Sequence, residues 1–108
     1  MITIVLWRFH DGNISGFTVD GHAAYAPKGQ DIVCAAVSVL AQAAVLGLTE
    51  YVGLKPEVEI GEGHLRCMLT PGSAADPAVQ AILTTLVLAL QDIAAQYPGR
   101  IRCKEVQL

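Results

Sequence analysis

Two residue types able to do covalent chemistry stand close together in the stretch GHAAYAPKGQDIVCAAVSVL: His22 and Cys34. A cysteine thiolate attacks carbonyl carbon, and a histidine within about 2.6–3.2 Å takes and returns the proton. Asp31 is a good helix N-cap, which places Cys34 in the first turn of the helix that follows. Unpaired N–H groups and the helix dipole favour an anion at such a position. The Asp31 charge opposes this unless capping bonds occupy its oxygens. A core cysteine and a solvated histidine are the bland alternative, but a packing cysteine gains nothing from a first-turn location.

The elements that must bring this pair together are legible on either side. Ile2 to Phe9 reads as a strand, His10-Asp11-Gly12-Asn13 as a hairpin turn, and Ile14 to Asp20 as the return strand with Phe17 and Val19 on one face. Residues 21–30 hold two Gly and one Pro and read as a loop, with Tyr25, Pro27 and Gly29 available to close over a bound peptide. A strand end at His22 and a helix start at Cys34, joined by such a loop, are easily brought side by side. The helix from Ile32 is apolar almost all round, as a helix covered on several sides must be, and Gly53 and Pro56 bracket its end.

Two short strands follow, with Val58 and Ile60 on one face, a Gly61-Glu62-Gly63 turn, and Leu65, Cys67 and Leu69 inward on the return. Pro71-Gly72-Ser73 breaks the chain, and Asp76-Pro77 opens a second helix that runs to about Tyr97. Its apolar positions 79, 82, 83, 86, 90 and 93 share one face. Pro98-Gly99 stops it, and Ile101 to Val106 reads as a last strand. The order ββαββαβ predicts an α+β fold, two helices packed on a largely antiparallel sheet, in a single domain spanning 1–108.

Composition narrows the function classes. The chain has 108 residues, enough for one core. It is 53% hydrophobic and only 16% charged, so a homodimer that covers part of the apolar surplus is a reasonable expectation. A net charge of −3, with no run of Lys or Arg, speaks against direct nucleic-acid binding. Three cysteines without a CxxC pair do not make a disulfide scaffold, and the N-terminus does not read as a signal peptide. The uncharged run from Ile32 is a little short for a membrane span. A cytoplasmic protein, off the membrane, is the expectation.

Other candidate sites are weak. His64 and Cys67 have the spacing of a metal pair, but on a strand they point to opposite faces, so no metal site is expected. Cys67 and Cys103 read as core hydrophobes on inward faces. Trp7 and Phe9 read as core or dimer contacts.

The stretch from Gly21 to Leu40 resembles the signature of the ribosomal-processing cysteine protease family Prp: Gly-His-Ala, a short loop, then Gly-x-Asp-Ile-Val-Cys-Ala-Ala-Val-Ser. Gly21, His22, Gly29, Asp31, Cys34 and Ser38 stand where that motif wants them. The loop interior, 24–28, carries none of it. The resemblance implies an endopeptidase that removes the N-terminal extension of large-subunit ribosomal protein twenty-seven during ribosome biogenesis. It also implies a homodimer without metal or cofactor, with Cys34 as nucleophile and His22 as general base. Asp31 either orients His22 or only caps the helix, and the two roles compete for the same oxygens. Ser38, one turn beyond Cys34, either bonds near the site or bonds back to its own helix. The alternative to a protease is a non-catalytic ribosome-assembly or peptide-binding module in which Cys34 is structural. An oxidation-sensing thiol ranks behind both, since no resolving cysteine lies near in sequence.

Overall fold

The computed structural model describes residues 1–27 and 29–108; Lys28, inside the predicted 21–30 loop, lies outside the described residues. Strand β1 (Ile2–Arg8) pairs antiparallel with β2 (Ile14–Gly21), joined by the expected turn. Helix α1 (Ile32–Leu46) continues as a π-helical turn over Gly47–Tyr51. Strands β3 (Glu57–Gly61) and β4 (His64–Met68) form the second hairpin. A short helix α2 (Pro71–Ala74), the long helix α3 (Pro77–Gln96) and strand β5 (Ile101–Gln107) complete the chain.

The five strands run in the order β3-β4-β2-β1-β5, all pairs antiparallel except β1 with β5. This is the predicted α+β arrangement, with one parallel pair at the edge. The parallel pair exists because α3 carries the chain back across the sheet before β5 begins, as a crossover requires. Alternation then sorts the side chains. Ile4 opposite Val19, Leu6 opposite Phe17, and Phe17 opposite Cys67 share the face beneath the helices. Ile2, Ile4, Phe17 and Cys67 are almost wholly excluded from water there. Helix α1 supplies Val33, Val37, Ala41 and Ala44 to this core, and α3 supplies Val79, Leu83, Leu86, Val87 and Leu90.

Two expectations need correction. Pro71-Gly72-Ser73 is not a simple break. Thr70 Oγ1 accepts the Ser73 N–H at 3.3 Å and Pro71 sits at the first helical position, so α2 forms. Cys103 is not a core residue either. It pairs with Ile4 in register, but β5 is an edge strand exposed beyond Ile101, and Cys103 is exposed with it. Cys67 is buried as expected, and burial pushes its thiol pKa up to about 11. Trp7 and Phe9 are only half-buried.

The segment Ile32–Tyr51 and helix α3 are each 20 residues and apolar enough to cross a membrane by length and composition. Here both lie against the sheet with one face buried. Their outer faces leave Ile32, Val39 and Leu46 on α1, and Leu88 on α3, exposed.

Candidate active site

Helix α1 begins where the sequence reading puts it. Asp31 caps it, its Oδ1 accepting the N–H groups of Val33 and Cys34, both at 3.0 Å. Its Oδ2 accepts the Tyr25 N–H at 3.0 Å. These backbone bonds, that of Cys34 foremost, hold the Asp31 carboxyl below its usual range. Both carboxylate oxygens are thus engaged with main-chain donors, which ties the entering loop to the helix start.

The Cys34 side chain is half-buried, and its Sγ accepts the Ala23 N–H at 3.1 Å. Ala23 itself is buried. The loop carrying it is pinned from the far side: Arg100 Nη1 donates to Ala24 O at 2.7 Å, and its guanidinium lies 5.8 Å from the Tyr25 ring centre. Tyr25 meets Tyr97 edge-on at 5.4 Å between ring centres. Ala24 has φ +53, a left-handed conformation that a residue with a Cβ adopts only when its surroundings hold it.

His22 reaches the same place by a reversal of the strand. Alternation alone would put it on the sheet face of Asp20 and Thr18, away from the helices. Gly21 has φ +94, which breaks the alternation and turns the next side chain toward α1. A Cβ on Gly21 would stand 2.4 Å from the Met1 carbonyl oxygen, so no other residue fits without a shift. The Gly21 N–H donates to Gly63 O at 2.9 Å, which draws the β3–β4 turn against the loop. One residue below, Asp20 and His64 pair across β2 and β4 through Oδ1 and Nδ1. The His22 ring rests on Gly63, where an added Cβ would lie 2.8 Å from Nε2. Among the described residues the exposed imidazole makes no hydrogen bond, so in this state it does not engage Sγ.

Two clefts flank this position. One, of about 230 Å³, runs between α1 and the β3–β4 hairpin and is walled mainly by Val19, Val37, Ala41, Ile60 and Leu65. The other, of about 510 Å³, lies on the loop side and is lined by Ala24, Ala26, Asp31 and Glu62. His22, Cys34 and Ser38 line both; Gly21 lines the first and Asp31 the second. A thiol at the junction of two open clefts suits attack on the middle of an extended chain rather than on its end.

A family model described as cysteine protease Prp matches residues 1–102. The chain belongs to the Prp family of cysteine proteases. Ribosomal processing cysteine protease Prp from Bacillus subtilis is 30% identical over 106 residues, covering 94% of this chain and 95% of that protein. The protein of the same name from Staphylococcus aureus is also 30% identical over 106 residues. The crystal structure of Prp from S. aureus with a covalently linked product peptide superposes with a TM-score of 0.87 at 28% identity, over 98% of this chain and all of that one. A second structure of that protease holds a substrate peptide, with a TM-score of 0.86 at 26% identity. A Streptococcus mutans protein matches as well, at a TM-score of 0.88 and 26% identity, over the whole of this chain and 96% of that one. Membership makes the chain a cysteine protease and accounts for an open, peptide-sized site around a thiol.

Of the residues singled out from the sequence, the fold gathers Gly21, His22, Cys34 and Ser38 at one cleft, while Asp31 faces the loop. Sequence reasoning missed Gly63 and Gln42. Gly63 is visible beforehand only as a turn glycine. Gln42 stands one turn beyond Ser38 and lines the first cleft, but an exposed helix glutamine carries no signal until its neighbours are known.

Among the described residues no group of three or more His, Cys, Asp or Glu is arranged to hold a metal ion. His64 and Cys67 part as expected, the first pairing with Asp20 and the second entering the core.

Proposed function

We propose that this chain is a cytoplasmic endopeptidase that removes the N-terminal extension of large-subunit ribosomal protein twenty-seven during ribosome biogenesis. Cys34 is the nucleophile and His22 the general base. The observation that carries this reading is the junction of two clefts at which both residues stand. The family's signature residues supply the substrate assignment. The curated relatives named for ribosomal processing, and the S. aureus structures with product and substrate peptides, support it.

In this reading His22 swings from Gly63 toward Sγ when substrate fills the clefts, takes the thiol proton, and later returns it to the leaving amine. Water then hydrolyses the thioester with the same imidazole as base, and no step calls for a metal or cofactor. The apolar cleft takes apolar side chains of the extension, and the cleft with Asp31 and Glu62 takes the other side of the scissile bond. Asp31 acts by fixing the helix start and the loop, not by holding His22. The exposed stripe of Ile32, Val39 and Leu46 on α1, and exposed Leu88 on α3, support a homodimer through the outer faces of these helices. Burial of one face of each helix against the sheet supports a protein that works off the membrane, and the net charge of −3 supports a protein rather than nucleic-acid partner.

The test is cleavage of a peptide spanning that extension by the wild type, Cys34→Ala and His22→Ala. Cleavage by the wild type, none by Cys34→Ala and a large loss in His22→Ala are expected. Cleavage that persists in Cys34→Ala overturns the reading.

A further inference from the structure

Thiol attack on a peptide bond places a negative charge on the carbonyl oxygen, which needs donors within about 2.7–3.1 Å. The N–H of the nucleophile itself is the natural candidate when a helix carries it. In this chain that N–H is spent: it donates to Asp31 Oδ1 at 3.0 Å. Two other donors remain, one on Sγ itself and one on the cleft wall. The Ala23 N–H lies 3.1 Å from Sγ. Ser38 stands one helical turn beyond Cys34 on the same face and lines both clefts.

The Ser38 hydroxyl is held in a particular way. Its Oγ accepts the Gln42 Nε2–H at 2.8 Å. A serine within a helix commonly returns its proton to the carbonyl four residues back. Among the described residues Ser38 makes no such bond, and its own proton has no acceptor. With a lone pair fixed by the Gln42 amide, the O–H is directed away from that amide and is available to a group in the cleft.

We propose that the Ser38 O–H and the Ala23 N–H form the oxyanion hole, with Gln42 as the positioning residue for Ser38. The proposal rests on Cys34 being the nucleophile. In the first step the Sγ electron pair forms the S–C bond, and the C=O π pair moves onto oxygen. The charge leaves sulfur for an atom bonded to the same carbon, so the Ala23 N–H that met the thiolate follows it to the oxygen. Ser38 supplies the second hydrogen bond. Collapse re-forms C=O and breaks the C–N bond, and the amine leaves with the proton from the His22 imidazolium.

The experiment measures kcat and KM on the extension peptide, with the rate of Cys34 alkylation by iodoacetamide, a displacement that builds no oxyanion. Ser38→Ala is expected to lower kcat by about 10²–10³-fold with KM and alkylation nearly unchanged. Gln42→Met, which only removes the positioning bond, is expected to lower kcat by about fivefold. Gln42→Glu is expected to fall well below Gln42→Met, because a carboxylate only accepts and turns the serine proton toward itself. Near wild-type kcat in Ser38→Ala, a parallel loss of cleavage and alkylation in it, or equal kcat in the two Gln42 variants overturns the proposal. Failure of the wild type to cleave, or cleavage by Cys34→Ala, overturns instead the reading on which it rests.

Discussion

The main-chain N–H of Cys34 donates to Asp31 Oδ1 at 3.0 Å, and that bond organises the site. It starts the helix that carries the thiol, and through the second carboxylate oxygen it holds the Tyr25 N–H and so the loop that bears His22 and Ala23. One side chain therefore fixes both elements in relation to each other.

The depressed Asp31 pKa makes its contribution to stability depend on acid. A carboxyl whose folded pKa is lowered stabilises fully above its unfolded value, near 3.8, and loses that contribution as pH falls through the folded one. Asp31→Asn keeps an acceptor for the helix but turns an NH₂ toward the Tyr25 N–H. We expect Asp31→Asn to melt below the wild type at pH 7, with the gap closing as pH drops under 3.8. Thermal melts across pH 7 to 3 check this; a gap that stays constant contradicts the assignment.

Gly63 sets where the His22 ring rests. At φ +66 an alanine costs on the order of 1–2 kcal/mol, and its Cβ would press on Nε2 from 2.8 Å. The added methyl stands where the ring begins its swing toward Sγ, and a reacting group that arrives about 1 Å out of place costs on the order of 10²-fold in rate. Gly63→Ala is expected to lose far more kcat/KM than its modest fall in melting temperature explains. A loss of activity in proportion to the unfolded fraction contradicts this.

The three thiols differ in environment. Cys67 is sealed in the core with its pKa pushed up to about 11, whereas Cys103 is exposed. Iodoacetamide at neutral pH, read by peptide mass spectrometry, is expected to leave Cys67 unmodified until the protein is unfolded. Since the folded state binds the Cys67 proton more tightly, stability should fall as pH rises from about 9 toward 11. Cys67→Ala should be less stable at neutral pH and should flatten that fall.

The outer helix faces give the fourth prediction. Val39 and Leu88 are 65% and 61% exposed, so charge placed there disturbs no core contact. We expect the wild type to sediment as a dimer and Val39→Glu/Leu88→Glu as a folded monomer. A wild type that sediments as a monomer at micromolar concentration contradicts the dimer.

The local elements were legible because their signals are local. Strand alternation, the Asp31 cap, the Asp76-Pro77 start and the turn glycines each act within a few residues, so strand and helix order, the first-turn place of Cys34 and the strand-end place of His22 could be read directly. The family signature carried the pair to a protease. What depended on partners far along the chain could not be read. The parallel docking of β5 left Cys103 exposed at an edge, although its alternation matches an inward position. The contact of His22 with Gly63 joins two hairpins, and Arg100 reaches the loop from beyond α3. The main-chain donors that take both Asp31 oxygens, among them the Tyr25 N–H from the loop, likewise come together only in three dimensions. Sequence spacing determines which residues can share a helix face or a strand face. Which distant groups fill the remaining hydrogen-bonding positions is decided only when the sheet and helices close around them.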